Sequence, residues 1–135
     1  PYTEADARDY IAFAQTAGEG AYAFAIAEDG VAVGSIQLTR QQNIHRRTAE
    51  LGYYVVRRRW GAGICTEAVR QICRFAFENT DVLRIFAEPF AENAASCRVL
   101  EKAGFQVEGV LRRSAVKNGQ VRDMRLYSLV REDLE

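Results

Sequence analysis

The chain is predicted to fold as an α/β domain: a mixed sheet with helices on its faces. Three observations predict this. Strand-like and helix-like segments alternate between residues 49 and 103, a glycine-bearing turn joins one strand directly to one helix, and a hairpin signal closes the chain. The 135 residues suit one domain around one sizeable core, so residues 1–135 are read as a single unit.

A helix signal opens the chain, with Thr3 and Asp6 as a cap and Tyr10, Ile11, Phe13 and Ala14 behind it. Tyr22, Phe24 and Ile26 then alternate with alanines, Asp29-Gly30 punctuates, and Val31 to Leu38 is strand-like again. That pattern predicts a hairpin with a tight turn. Gln41 to Arg47 is polar and reads as a loop, and His45, the one histidine, reads as a solvated loop residue beside Arg46 and Arg47. In the strand from Ala49 to Val56, Leu51, Tyr53 and Val55 point to one face, and Glu50, Gly52, Tyr54 and Val56 to the other. Apolar side chains on both faces predict a central strand.

Ile64, Ala68, Ile72 and Ala76 recur at helical spacing and predict a helix from about Ile64 to Phe77. Its wet side carries Thr66, Glu67, Arg70, Gln71, Arg74 and Glu78. Leu83 to Glu88 reads as a strand that stops at Pro89, which has no N–H for a sheet ladder. If this strand runs parallel beside the Glu50 strand, joined to it through the helix, the sheet opens at that point and exposes backbone groups to a ligand. Asn93 then caps a short helix through Ala103, and Gly104 stops it. Phe105 to Val116 and Val121 to Val130 read as long strands joined by the turn Lys117-Asn118-Gly119-Gln120.

Lys plus Arg and Asp plus Glu each number 18, so the formal net charge is zero and any basic site must be local. That balance points away from nucleic acid and anionic membranes as partners. No apolar run is long enough to span a bilayer, and none looks like a signal peptide. Cys65, Cys73 and Cys97 are an odd number without metal-ligand spacing, and Cys65 and Cys73 fall too far apart on one helix to bond. A reducing cytoplasm is the simpler expectation.

The chemistry concentrates in Arg58-Arg-Trp-Gly-Ala-Gly-Ile-Cys-Thr66, between the central strand and its helix. Gly61 and Gly63 let the backbone turn and approach a ligand, and unpaired N–H groups at the helix start suit a phosphate. Arg57, Arg58 and Arg59 add positive charge there, although three arginines also fit a solvated strand end. No Lys-Ser or Lys-Thr follows the second glycine, and no third glycine stands at the dinucleotide spacing. What does fit is Arg/Gln-x-x-Gly-x-Gly, matched by Arg58, Gly61 and Gly63.

That pattern resembles the acyl-CoA pyrophosphate loop of the GNAT N-acetyltransferase superfamily. Asn93-Ala-Ala-Ser96, Arg98-Val-Leu-Glu-Lys-Ala-Gly-Phe105 and Glu108-Gly-Val-Leu-Arg112 follow in order. Together they resemble the RimJ/RimL-like branch, the ribosomal-protein N-terminal acetyltransferases and relatives. The resemblance implies a mostly antiparallel sheet with a V-shaped opening between two parallel central strands. It also implies acetyl-CoA as co-substrate, no metal, and a single GNAT domain lacking the first family strand and helix.

By that resemblance, backbone groups of Arg59, Trp60, Gly61, Ala62, Gly63 and Ile64 hold the pyrophosphate, with Arg58 in the same loop. Val55 and Val56 pair with pantetheine. Asn93 bonds the cofactor, although its residue type alone equally fits a helix cap. Cys65 reads as a packed thiol rather than a nucleophile. Glu50 stands where several relatives carry a base, against the alternative of a salt bridge. Leu100 occupies the place of the tyrosine acid found in many N-terminal acetyltransferases, so Ser96 is the chosen donor, in cofactor contact, against the alternative of a first-turn polar residue. The implied acceptor is a primary amine, a protein N-terminus first and a small-molecule amine or antibiotic second. A non-catalytic acyl-CoA-binding module is the rival class. The long terminal hairpin offers a surface for a second copy of the chain.

Overall fold

The computed structural model describes residues 11–16, 20–56, 59 and 63–134, the first six by backbone alone. Strands β1 (Ile11–Thr16), β2 (Ala21–Glu28), β3 (Val31–Arg40) and β4 (Thr48–Val55) lead into helix α1 (Ile64–Asn79). Then come β5 (Arg84–Ala87), helix α2 (Ala94–Lys102), β6 (Gln106–Lys117) and β7 (Gln120–Val130). One seven-stranded sheet runs β1-β2-β3-β4-β5-β7-β6. Every pairing is antiparallel except β4 with β5. Among the described residues, no helix is long and apolar enough to cross a membrane.

The expected opening helix is corrected where it can be seen. Ile11–Thr16 is an edge strand paired antiparallel with β2, while Thr3, Asp6 and Tyr10 lie outside the described residues. Alternating large and small residues in Ile-Ala-Phe-Ala satisfy both periods, and the open backbone of β2 decides between them. The two hairpins follow their turn residues. Asp29 and Gly30 both take positive φ (51° and 79°), as do Asn118 and Gly119 (53° and 76°), so each strand pair closes with two left-handed residues matched to strand twist.

Helix α1 buries Ile64, Ala68, Val69, Ile72, Cys73, Ala76 and Phe77 in one stripe against the sheet. Its Phe75 meets the rings of Tyr22 and Phe24 edge-on, at 5.9 and 5.3 Å between centroids. Arg131, from the end of the chain, supplies the helix with a C-terminal cation: its guanidinium donates to the carbonyls of Phe77, Thr80 and Val82. On the other face of the sheet Arg84 grips Glu108 through two bonds of 2.9 and 2.6 Å, and Ser128 adds a third at 2.7 Å. Those donors hold the Glu108 carboxyl down at about 2.

β4 is central, as its apolar residues predict, with Ala49, Leu51 and Val55 in the core. It approaches β3 closely at Gly34, where an added Cβ would lie 2.1 Å from the Tyr54 carbonyl oxygen. Gly34→Ala should therefore destabilise the domain by about 1–3 kcal/mol, because backbone cannot yield as a side chain can. Urea unfolding measures this, and a midpoint within error of wild type would refute it.

The β4–β5 ladder holds only at Thr48↔Arg84, Ala49↔Ile85 and Glu50↔Phe86. β4 runs on to Val55, while the chain after β5 attaches to β7 instead. The Arg125 N–H donates to the Pro89 carbonyl and the Ala91 N–H to the Asp123 carbonyl, both at 2.9 Å, and Phe90 bridges Met124. Proline lacks a donor but keeps an acceptor, so Pro89 serves the β7 side and leaves the β4 side open.

Candidate functional site

A cavity of about 340 Å³ lies where β4 runs past β5, walled by the end of β4, the first turn of α1 and one face of α2. The α1 wall begins at Gly63, the N-cap, with φ of 80° and no side chain to cap the turn. The first ladder bond of the helix is Glu67 N–H to the Gly63 carbonyl at 3.1 Å, so the N–H groups of Ile64, Cys65 and Thr66 precede it. Among the described residues, a Cβ on Gly63 would meet nothing within 4 Å. Thr66, expected on the wet side of the helix, is instead buried and lines the cavity. One turn before Val69 and two before Cys73, Thr66 falls in the same buried stripe, so its place on the helix already turns it inward. Cys65 also lines the cavity, and burial pushes its thiol up to about 12. It is protonated at neutral pH and is no ready nucleophile.

The α2 wall is set by Asn93, whose side-chain oxygen accepts the Ser96 N–H at 3.0 Å. The capping reading of Asn93 is thus present in the fold, and the residue lines the cavity as well. Ser96 Oγ lies 2.7 Å from the hydroxyl of Tyr53, with either able to donate, and that hydroxyl also donates to the Ser96 carbonyl at 3.2 Å. Burial raises the Tyr53 pKa above its ordinary value, more than the Ser96 bond lowers it, so the phenol keeps its proton. Sequence reasoning missed Tyr53 as a site residue. The available signal was its position on the same face of the strand as Val55.

On the β4 wall Val55 lines the cavity. Val56, expected to pair with pantetheine, has its groups engaged within the chain: its N–H donates to Val33 at 2.7 Å and its carbonyl accepts from Arg59 at 3.0 Å. Arg59, whose backbone is expected at the pyrophosphate, borders the cavity, and its guanidinium is ion-paired with Glu28. Gly63 and Ile64 line the cavity. Arg58, Trp60, Gly61 and Ala62 lie outside the described residues.

Glu50 is not a cavity residue. It alternates with the buried Ala49 and Leu51 and so stands on the opposite face of β4, exposed, at the last rung before the opening. Glu88, two residues beyond its partner Phe86, shares that face. Partial desolvation, and then the Glu88 charge, raise the Glu50 pKa. The salt bridge considered for Glu50 has no counterpart among the described ion pairs. Tyr127, on β7, is fully buried and donates to Glu101 at 2.6 Å, away from the cavity lining.

These walls suit a ligand with a phosphate group and a narrow arm: helix-start donors without a partner among the described residues, beside a split between parallel strands. Residues 1–106 match the family described as acetyltransferase (GNAT) domain, and the chain belongs to that family. It is 37% identical over 99 residues to the uncharacterized N-acetyltransferase YoaA of Bacillus subtilis (strain 168), covering 73% of this chain and 55% of that one. It is 28% identical over 100 residues to spermidine N(1)-acetyltransferase of Escherichia coli (strain K12), covering 74% and 53%. Among solved structures, Mycobacterium smegmatis RimJ in complex with CoA-disulfide superposes with a TM-score of 0.79 at 33% identity, covering 84% of this chain and 55% of RimJ. The chain thus spans about half the length of each.

Proposed function

We propose that this chain is an acetyl-CoA-dependent N-acetyltransferase acting on a primary amine, with a protein N-terminal amine as the acceptor. The observation that carries the reading is the split between β4 and β5, flanked by the bare start of α1 on one side and the Tyr53–Ser96 hydroxyl pair on the other. The likeness to RimJ supports the choice of acceptor. Acetyl-CoA supplies the activated acyl group as a thioester. First-turn N–H groups of α1 hold its pyrophosphate, and Val55 and Asn93 border its arm.

Transfer is direct, without a covalent enzyme intermediate. Glu50 takes the ammonium proton from the acceptor on the open face of β4, and the freed amine attacks the acyl carbon. On the cavity face, the hydroxyls of Ser96 and Tyr53 donate toward the departing sulfur. An alkyl thiol ionises near pKa 8.5, so its thiolate needs only modest help. Because two hydroxyls share that task, Ser96→Ala should lower turnover about tenfold and the Ser96→Ala/Tyr53→Phe pair about a hundredfold, with acetyl-CoA affinity near wild type. Full turnover in the double variant would remove both from the chemistry.

A small-molecule amine is the second reading, favoured by the spermidine N(1)-acetyltransferase relative and by two carboxylates, Glu50 and Glu88, on the acceptor face. Thiol release from acetyl-CoA with N-terminal peptides, polyamines and amino acids as acceptors discriminates them. Thermal shift gives the first test: a ligand bound only by the folded state raises its melting temperature, so acetyl-CoA should raise it and ATP should not. A shift without turnover on any amine would indicate an acyl-CoA-binding module.

A further inference from the structure

The α2 wall of the cavity carries two cations that the chemistry above leaves unused. Arg98 and Lys102 lie one turn apart on α2, both line the cavity, and both are exposed. Among the described residues neither has an ion-pair partner. The neighbouring carboxylates are committed elsewhere: Glu101 accepts from Tyr127 at 2.6 Å, and Glu67 pairs with Arg70 at 3.3 Å. Arg70 also donates to the Lys102 carbonyl at 2.8 Å, which pins the end of α2 beside α1. The pair therefore faces the same space as the bare helix start, from the opposite wall.

We infer that Arg98 and Lys102 hold the 3′-phosphate of CoA and make the protein prefer CoA over 3′-dephospho-CoA. The inference rests on the CoA-binding reading above. Each pyrophosphate unit carries a single negative charge, which first-turn N–H donors suit. A phosphate monoester carries about −1.5 to −2 at neutral pH and calls for two point charges rather than one. A cation pair spaced by one turn, with no anion among the described residues to satisfy it, supplies them.

The test is calorimetric titration of wild type, Arg98→Gln, Lys102→Gln and the double variant with CoA and with 3′-dephospho-CoA, at low salt and at 0.5 M salt. Glutamine keeps helix propensity, and melting curves check the fold. Wild type should bind CoA about tenfold more tightly than the dephospho form at low salt, and less so at high salt. The double variant should lose about tenfold for CoA and less than about twofold for 3′-dephospho-CoA. Equal losses for both ligands would place the pair on another part of the molecule and overturn the inference, as would unchanged CoA affinity. Wild type binding neither ligand would overturn the cofactor reading itself, a result distinct from the other two.

Discussion

Glu50→Gln should lower turnover about a hundredfold while acetyl-CoA affinity stays near wild type. The substitution keeps size and hydrogen bonding and removes basicity, so it isolates proton transfer from binding. Glu50 sits outside the cavity lining, which is why cofactor affinity should not follow. Its pKa is raised by partial desolvation and by Glu88, which brings its proton affinity closer to that of a base working near neutrality. The sign of the pH effect follows. The base acts deprotonated, so activity falls as pH drops through its pKa, and a raised pKa moves that acid limb upward. Glu88→Gln removes the repulsion and should move the limb to lower pH, whereas Glu50→Gln should abolish it. A wild-type rate across the whole kcat/KM profile of Glu50→Gln would return the residue to the sheet surface.

Gly63→Val should weaken acetyl-CoA binding about thirtyfold in a protein that still folds. At φ of 80° a β-branched residue is strained by about 1–3 kcal/mol, and no neighbour among the described residues within 4 Å of the new Cβ would compel unfolding. The strain is relieved by turning the backbone, which swings the first N–H groups of α1 away from the phosphates. The methyl groups also enter the space a phosphate would use. Gly63→Asn, which tolerates the left-handed region, should lose far less. Calorimetric titration of the three proteins decides the matter: equal affinity in valine and glycine forms removes this turn from the binding site.

The parts of the fold legible in sequence were those where a residue type leaves the backbone little choice. Asp29-Gly30 and Asn118-Gly119 had to be left-handed turns, and Pro89 had to end a ladder on one side. Ile11–Thr16 was not legible, because its alternation satisfies helix and strand alike and only the pairing with β2 breaks the tie. The site shows the same division. Gly63, Asn93 and Ser96 announce themselves through local pattern, and the structure brings them to one cavity with Val55. The Tyr53–Ser96 bond joins residues 43 positions apart, the Arg59–Glu28 pair 31 apart, and no local period encodes either. Thr66 was legible by its spacing, three residues before Val69 and seven before Cys73, and only its polar residue type argued for the wet side.

Between β4 and β5 the sheet is one fabric for only three rungs and two separate flaps beyond them. Val55 and Gly63 belong to the flap built on β4, and Asn93 and Ser96 to the flap built on β5 and β7. A molecule lodged between them acts as a splint across the seam, doing for the upper sheet what missing rungs cannot. Amide exchange at Leu51 and Tyr53 should slow in proportion to occupancy, while the Asp29-Gly30 turn, remote from the seam, should exchange at its free rate.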